Sequence, residues 1–150
     1  MKPLFVLLGA FLASLMILKL GFGEFDYSLS GRIAMSVMLL FTSIGHFAFS
    51  KGMILMMPDF IPFKRIFVYF TGIVETAAAI GLLISPLLHI TAIMLIIFFI
   101  LILPANINAA IKHIDYQKGN NKGNGTKYLW FRIPLQVLFI AWTCFFALYL

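Results

Sequence analysis

Five stretches of the chain stay apolar over about the thickness of a bilayer, and most of the polar residues fall between them. A spanning helix needs roughly 20 mainly apolar residues. The stretches 3–20, 31–50, 66–84, 88–111 and 128–150 reach or approach that length. Alternation with a period of two, the mark of a membrane β-strand, is absent, so the pattern predicts helices. The expected fold is all-α, an integral membrane helical bundle forming a single membrane domain over 1–150.

The connections differ in character. Residues 51–65, KGMILMMPDFIPFKR, are too apolar for a free loop and too proline-broken to span. They are expected to lie in the interface, with Met53, Met56, Met57 and Phe60 turned to lipid or to the bundle. Residues 112–127, KHIDYQKGNNKGNGTK, predict a flexible loop. Ser85–Pro86 predicts a tight turn. Lys2 ahead of an apolar run resembles a secretory signal, but no small-x-small cleavage pattern follows, so the first stretch reads as a retained helix.

Composition narrows the class. Hydrophobic residues make up 63% and charged residues 11%, against roughly 45–50% and 25% in soluble domains. So few charges cannot cover a small soluble fold, and disorder needs the opposite balance. The net charge is +6, and its placement matters more than its size. With the N-terminus in the cytoplasm, Lys2, Lys51, Lys64, Arg65, Lys112, Lys118, Lys122 and Lys127 all fall inside. Lys19 and Arg32 fall outside, with Glu24 and Asp26. This positive-inside asymmetry predicts a multi-pass protein of the cytoplasmic membrane, N-in and C-out. No basic run is interleaved with stacking aromatics, so nucleic acid is not an expected partner. Cys144 is the single cysteine and forms neither an internal disulfide nor a CxxC pair. His46, His89 and His113 sit at different depths, so no metal site is expected, and the methionines read as an anchor.

Polar residues within spans are costly and usually face the bundle. In the second stretch Arg32, Ser36, Ser43 and His46 share one face at about 100° per residue. The third carries a small-residue face, Thr71, Gly72, Ala78 and Ala79, with Glu75 in it. The fourth has Pro104, which frees the carbonyl of Ile100, followed by Asn106 and Asn108. The fifth has Arg132 and Gln136 one turn apart. At about 1.5 Å per residue, His46, Glu75, Asn106, Arg132 and Gln136 can converge in the cytoplasmic half, while Arg32 belongs at the outer end. A carboxylate at that depth protonates or finds a cation. Arg132 and His46 are the two within reach, and the guanidinium is the better match. Each residue also has a purely structural reading: an ion pair fixing two helices, a histidine bonded to a carbonyl, and an Asn106 serving the carbonyls that Pro104 frees.

The motifs carry a resemblance. Arg32 precedes the run IAMSVMLLFTSIG with His46 and Phe47; then come PDFIP (58–62), TGIVE (71–75), GLL from Gly81, PANIN (104–108) and LWFRIPLQ (129–136). In this order, over about residues 31–147, they resemble the DoxX family of small membrane proteins. The resemblance implies four helices, matching the second to fifth stretches, with the first as an extra N-terminal transmembrane helix. DoxX is named after small membrane subunits of an archaeal thiosulfate:quinone oxidoreductase. Other members are linked to membrane oxidoreductase complexes and oxidative-stress defence.

The expectation is a redox-associated membrane subunit, an accessory of a quinone-linked oxidoreductase, with a quinone or lipid site in the inner half of the bundle. His46 or Glu75 would relay a proton, Arg132 and Asn106 would bond quinone carbonyls, and Tyr69 and Trp130 would pack nearby. Electrons would come from an oxidoreductase partner, because the chain has no visible ligand set for flavin, haem or iron–sulfur. The alternatives are a non-enzymatic scaffold or assembly partner, and a small-solute or proton pathway, which would call for a homo-oligomer.

Overall fold

The computed structural model describes residues 2–150. The elements are α1 (Lys2–Phe22), α2 (Tyr27–Ala48), α3 (Ser50–Met56), α4 (Lys64–Gly81), α5 (Leu88–Ile111) and α6 (Leu129–Thr143). After α6 the chain continues as a π-helical turn, Cys144–Tyr149. Among the described residues there is no strand, only the isolated bridge Asp115–Asn120. The all-α expectation therefore holds.

Boundaries shift for local reasons. α2 starts at Tyr27 rather than 31 because Asp26 caps it, its carboxylate accepting the Leu29 N–H at 2.8 Å. α4 ends at Gly81 rather than 84, and a single 3₁₀ turn, Ser85–Leu87, takes the chain into α5. α5 spans the expected residues.

Four helical segments are long and apolar enough to cross a membrane: Lys2–Phe22, Tyr27–Ala48, Ser85–Ile111 and Thr126–Tyr149. α4 differs because its 18 residues carry Lys64, Arg65 and Glu75. Phe5, Ile17, Leu20, Ile66, Ile73 and Leu101 are all exposed. An apolar surface of that extent suits lipid, not water.

α2 is the central helix, packed along both α1 and α4. The core gathers Leu7 of α1, Met35, Met38 and Leu39 of α2, Ala79 of α4, Leu95 and Phe99 of α5 and Phe139 of α6. Gly72 sets the α2–α4 distance, since a Cβ there would stand 2.9 Å from the Cβ of His46. At this close approach the Ser43 hydroxyl donates to the Gly72 carbonyl at 2.9 Å and lies 2.7 Å from the Thr76 hydroxyl. Small residues and interhelical hydroxyl bonds hold the pair.

Two connections are more ordered than their composition suggests. Residues 51–65 contain α3, and then a turn held to α5. Asn108 Nδ2 donates to the Met56 carbonyl at 2.8 Å, and Asp59 bridges Lys64 (3.0 Å) and Lys112 (2.6 Å). Of the methionines, Met56 is buried, whereas Phe60 is exposed. The 112–127 connection is drawn into turns by its own hydrogen bonds. The Asp115 carboxylate accepts the N–H groups of Gln117 (3.0 Å) and Lys118 (3.2 Å), and Gly123 N–H donates to the His113 carbonyl at 2.6 Å. Its Gly and Asn residues supply turn geometry rather than looseness: Gly119 and Gly125 have φ of +62° and +66°. Tyr116 then lies edge-on to Phe49, its carbonyl against Gly52, where only a glycine leaves room.

Candidate functional site

The start of α1, the end of α2, α3, the start of α4, the end of α5 and the 112–128 turn meet at one end of the bundle, around a cavity of about 380 Å³. Its wall is mostly apolar, with Phe41, Ile44, Met53, Met56, Val68 and Ile102. The polar exceptions include His46, Thr71, Glu75, Asn106 and Arg132. Drug-sized ligands occupy cavities of about 300–1,000 Å³ with a few placed polar groups.

Glu75 sits on the buried face of α4 and is 4% exposed. Its Oε1 lies 3.4 Å from His46 Nε2, and its buried Oε2 has no partner. The basic group beside the carboxylate is therefore the His46 imidazole, not the Arg132 guanidinium favoured by the sequence. The direction of Arg132 explains the difference. Arg132 lies in the first turn of α6, where its guanidinium stands 6.0 Å from the Tyr116 ring and 5.5 Å from the Tyr128 ring. It lines the same cavity near the mouth and makes a cation–π contact there.

The imidazole is oriented from behind. His46 Nδ1 lies 3.1 Å from the Val68 carbonyl and 3.0 Å from the Thr71 hydroxyl, which itself reaches that carbonyl at 2.9 Å. Two arrangements satisfy these groups. With Nδ1–H donating to Val68, one further proton lies between Nε2 and Glu75 Oε1. With the Thr71 hydroxyl turned to donate to Nδ1, a neutral ring carries its proton on Nε2 and donates to the carboxylate. The two differ by one proton, and the Thr71 hydroxyl can turn to match either.

Asn106 lines the cavity, and its Nδ2 donates to Gln136 Oε1 at 3.3 Å. Gln136 is buried behind it, and its Nε2 donates to the Phe99 carbonyl at 2.6 Å. That carbonyl is one residue before the one Pro104 leaves without its donor. Gln136, rather than Asn106, thus serves the proline-disturbed turn, and it is a supporting residue rather than a cavity wall.

Three expected positions lie elsewhere. Arg32 is at the opposite end of α2, where its Nε donates to the Ser28 carbonyl at 3.4 Å. Tyr69 does not line the cavity and stacks on Phe47 at 5.8 Å. Trp130 is 86% exposed and faces outward. Both aromatics point away from the cavity because of their helix phase: they lie six positions before Glu75 and Gln136 respectively, well off that face. The structure also adds residues. Thr71, one turn before Glu75, was readable from the helical period, whereas Tyr116 and Lys2 reach the site through a turn and a neighbouring helix that no local period reveals. Among the described residues no group of three or more His, Cys, Asp or Glu could hold a metal.

A family model, Domain of unknown function (DUF8561), matches residues 35–147. The chain belongs to the DUF8561 family. The DUF8561 match runs from the middle of α2 into the π-helical turn after α6 and leaves α1 outside. It contains His46, Glu75, Asn106, Arg132 and Gln136; Arg32 lies before it. No curated protein and no solved structure matches the chain.

Proposed function

We propose that this chain is a redox-associated, multi-pass protein of the cell membrane that holds a quinone in the cavity over the His46–Glu75 pair. One observation carries the reading: Glu75 lines a largely apolar cavity, has one carboxylate oxygen buried without a partner, and stands beside a histidine oriented from behind. An unpaired buried acceptor is expensive unless something completes it, and an apolar pocket with a few convergent polar groups is the usual form of a ligand site.

The residues present fit the group. A quinone offers two carbonyl acceptors on an apolar ring and, when bound, would accept electrons and protons. His46 and Glu75 present a proton at one wall, and the second N–H of Asn106 Nδ2 and the Arg132 guanidinium present donors at the others. Met53, Met56 and Val68 exclude water around the ring. Electrons come from an oxidoreductase partner in this reading. The motif order that resembles DoxX supports a redox-linked role.

The same geometry supports five crossings. Lys2 and the 112–128 turn border one cavity, so an even number of crossings separates them. With α1, α2 and α5 across, this reading takes α4 across as well. The basic end then lies in the cytoplasm by the charge rule.

Mass spectrometry and an oxidised-minus-reduced ultraviolet spectrum on protein purified in mild detergent test the reading, with Glu75→Gln and Arg132→Ala alongside. A stoichiometric quinone, lost in Glu75→Gln, is the expected result. Wild-type protein free of quinone after mild extraction would overturn it and turn attention to a scaffold or assembly role.

A further inference from the structure

A second cavity, of about 360 Å³, lies beyond Tyr116 and Arg132 at the same end of the bundle. It shares Lys2, Tyr116, Gln117 and Arg132 with the first cavity, so the two meet at the Arg132 guanidinium. Their chemistry differs. The first is walled by methionine, valine and isoleucine; the second is walled by the polar 113–125 turn, with Lys122, Asn124 and Tyr128. Lys2, Lys122 and Arg132 bring three cations to it, against the single carboxylate of Asp115, whose Oδ1 already accepts two backbone N–H groups.

Arg132 is partly buried and, among the described residues, has no carboxylate within ion-pair distance; Tyr116 and Tyr128 are its aromatic neighbours. A guanidinium set into protein without a counter-anion is poorly compensated, and its planar fork suits a phosphate better than any other common anion. Basic pockets between membrane helices at the inner surface are where anionic lipid headgroups bind.

We propose that the second cavity binds a phosphate group, held by Arg132 with Lys2 and Lys122, and that the preferred ligand is an amphiphile whose tail enters the adjoining apolar cavity. The phosphate contact does not depend on what meets Glu75, but the tail and a quinone ring would share the apolar cavity and Arg132, so the two ligands would compete.

The test measures thermal stabilisation and binding by native mass spectrometry for full-length protein in mild neutral detergent. The probes are a short-chain phosphatidylglycerol, a phosphatidylcholine of equal chain length, and inorganic phosphate. The variants are Arg132→Gln, Arg132→Lys and Lys122→Gln, with Lys127→Gln, outside the cavity, as the control. Phosphatidylglycerol should bind wild type about tenfold or more tightly than phosphatidylcholine, and Arg132→Gln should remove about that factor, with partial recovery in Arg132→Lys. Lys122→Gln, in an exposed turn, should weaken binding about two- to fivefold without altering the fold. Inorganic phosphate binding as tightly as the lipid would keep the anion site and overturn the tail. Equal binding of both lipids, or binding indifferent to Arg132 and Lys122 alike, would overturn the anion site.

Discussion

His46 Nε2 lies 3.4 Å from Glu75 Oε1 across the α2–α4 contact, and the other carboxylate oxygen of Glu75 is buried without a partner. The pair is thus half-satisfied inside the protein, on a residue that lines the cavity. Removing the imidazole leaves the carboxylate with no neighbouring donor. We expect His46→Ala to destabilise the protein by roughly 1–3 kcal/mol, and Glu75→Gln in that background to restore part of the loss, because an amide tolerates burial better than an unpaired charge. A double-mutant cycle of thermal denaturation in detergent measures it. Strict additivity would mean the two groups do not interact.

Gly72 makes that contact possible. A methyl group there would press on the His46 Cβ, 2.9 Å from where it must sit, and on the Phe47 ring. Gly72→Ala should therefore separate α2 and α4, stretch the Ser43 bond to the Gly72 carbonyl, and cost about 1–3 kcal/mol. Alanine normally favours a helix over glycine by up to about 1 kcal/mol, so even a neutral outcome in the melting temperature would signal strain. A clear stabilisation would contradict the close approach.

The helical pattern exposed most of the fold. Apolar runs mark α1, α2, α4, α5 and α6, and depth along them places His46, Glu75, Asn106 and Arg132 at one cavity. Pairing was less legible. Arg132 and His46 both lie within reach of Glu75 on one-dimensional depth, and only the rotation of α6, which turns Arg132 toward Tyr116 and Tyr128, decides between them. The hydrogen bonds of the 112–127 turn were not legible for a different reason. Gly and Asn are common to loose linkers and to tight turns, and the bonds that distinguish them, such as Gly123 N–H to the His113 carbonyl, are not local in pattern.

Asp59 gives the protein an acid-sensitive clamp. Its carboxyl is held at about 2, below the ordinary 3.8, first by the hydrogen bonds from Lys112 and Lys64 and then by their charges. Because the folded value is the lower one, the clamp contributes fully above about pH 4, fades as pH falls through the window between the two values, and contributes nothing below it. Asp59→Asn should lower the melting temperature slightly at neutral pH, more at low salt than at high salt since the side chain is exposed. That deficit should close between about pH 4 and pH 2. A deficit unchanged down to pH 2 would show that the carboxylate charge is not what holds the turn to α5.

The proposed five crossings have a direct chemical readout. In a Cys144→Ala background, single cysteines replace Glu24, between α1 and α2, and Lys118, in the turn beside Lys2's cavity. A membrane-impermeant thiol reagent added to intact cells should label Glu24→Cys and leave Lys118→Cys unlabelled until the membrane is opened. If α4 lay along the surface instead of crossing, α5 would carry the 112–127 turn to the outside and Lys118→Cys would label at once. That outcome would also separate Lys2 from Arg132 by a bilayer, although both border one cavity. The labelling of Lys118→Cys therefore tests the crossing of α4 and the assembly of the basic end together.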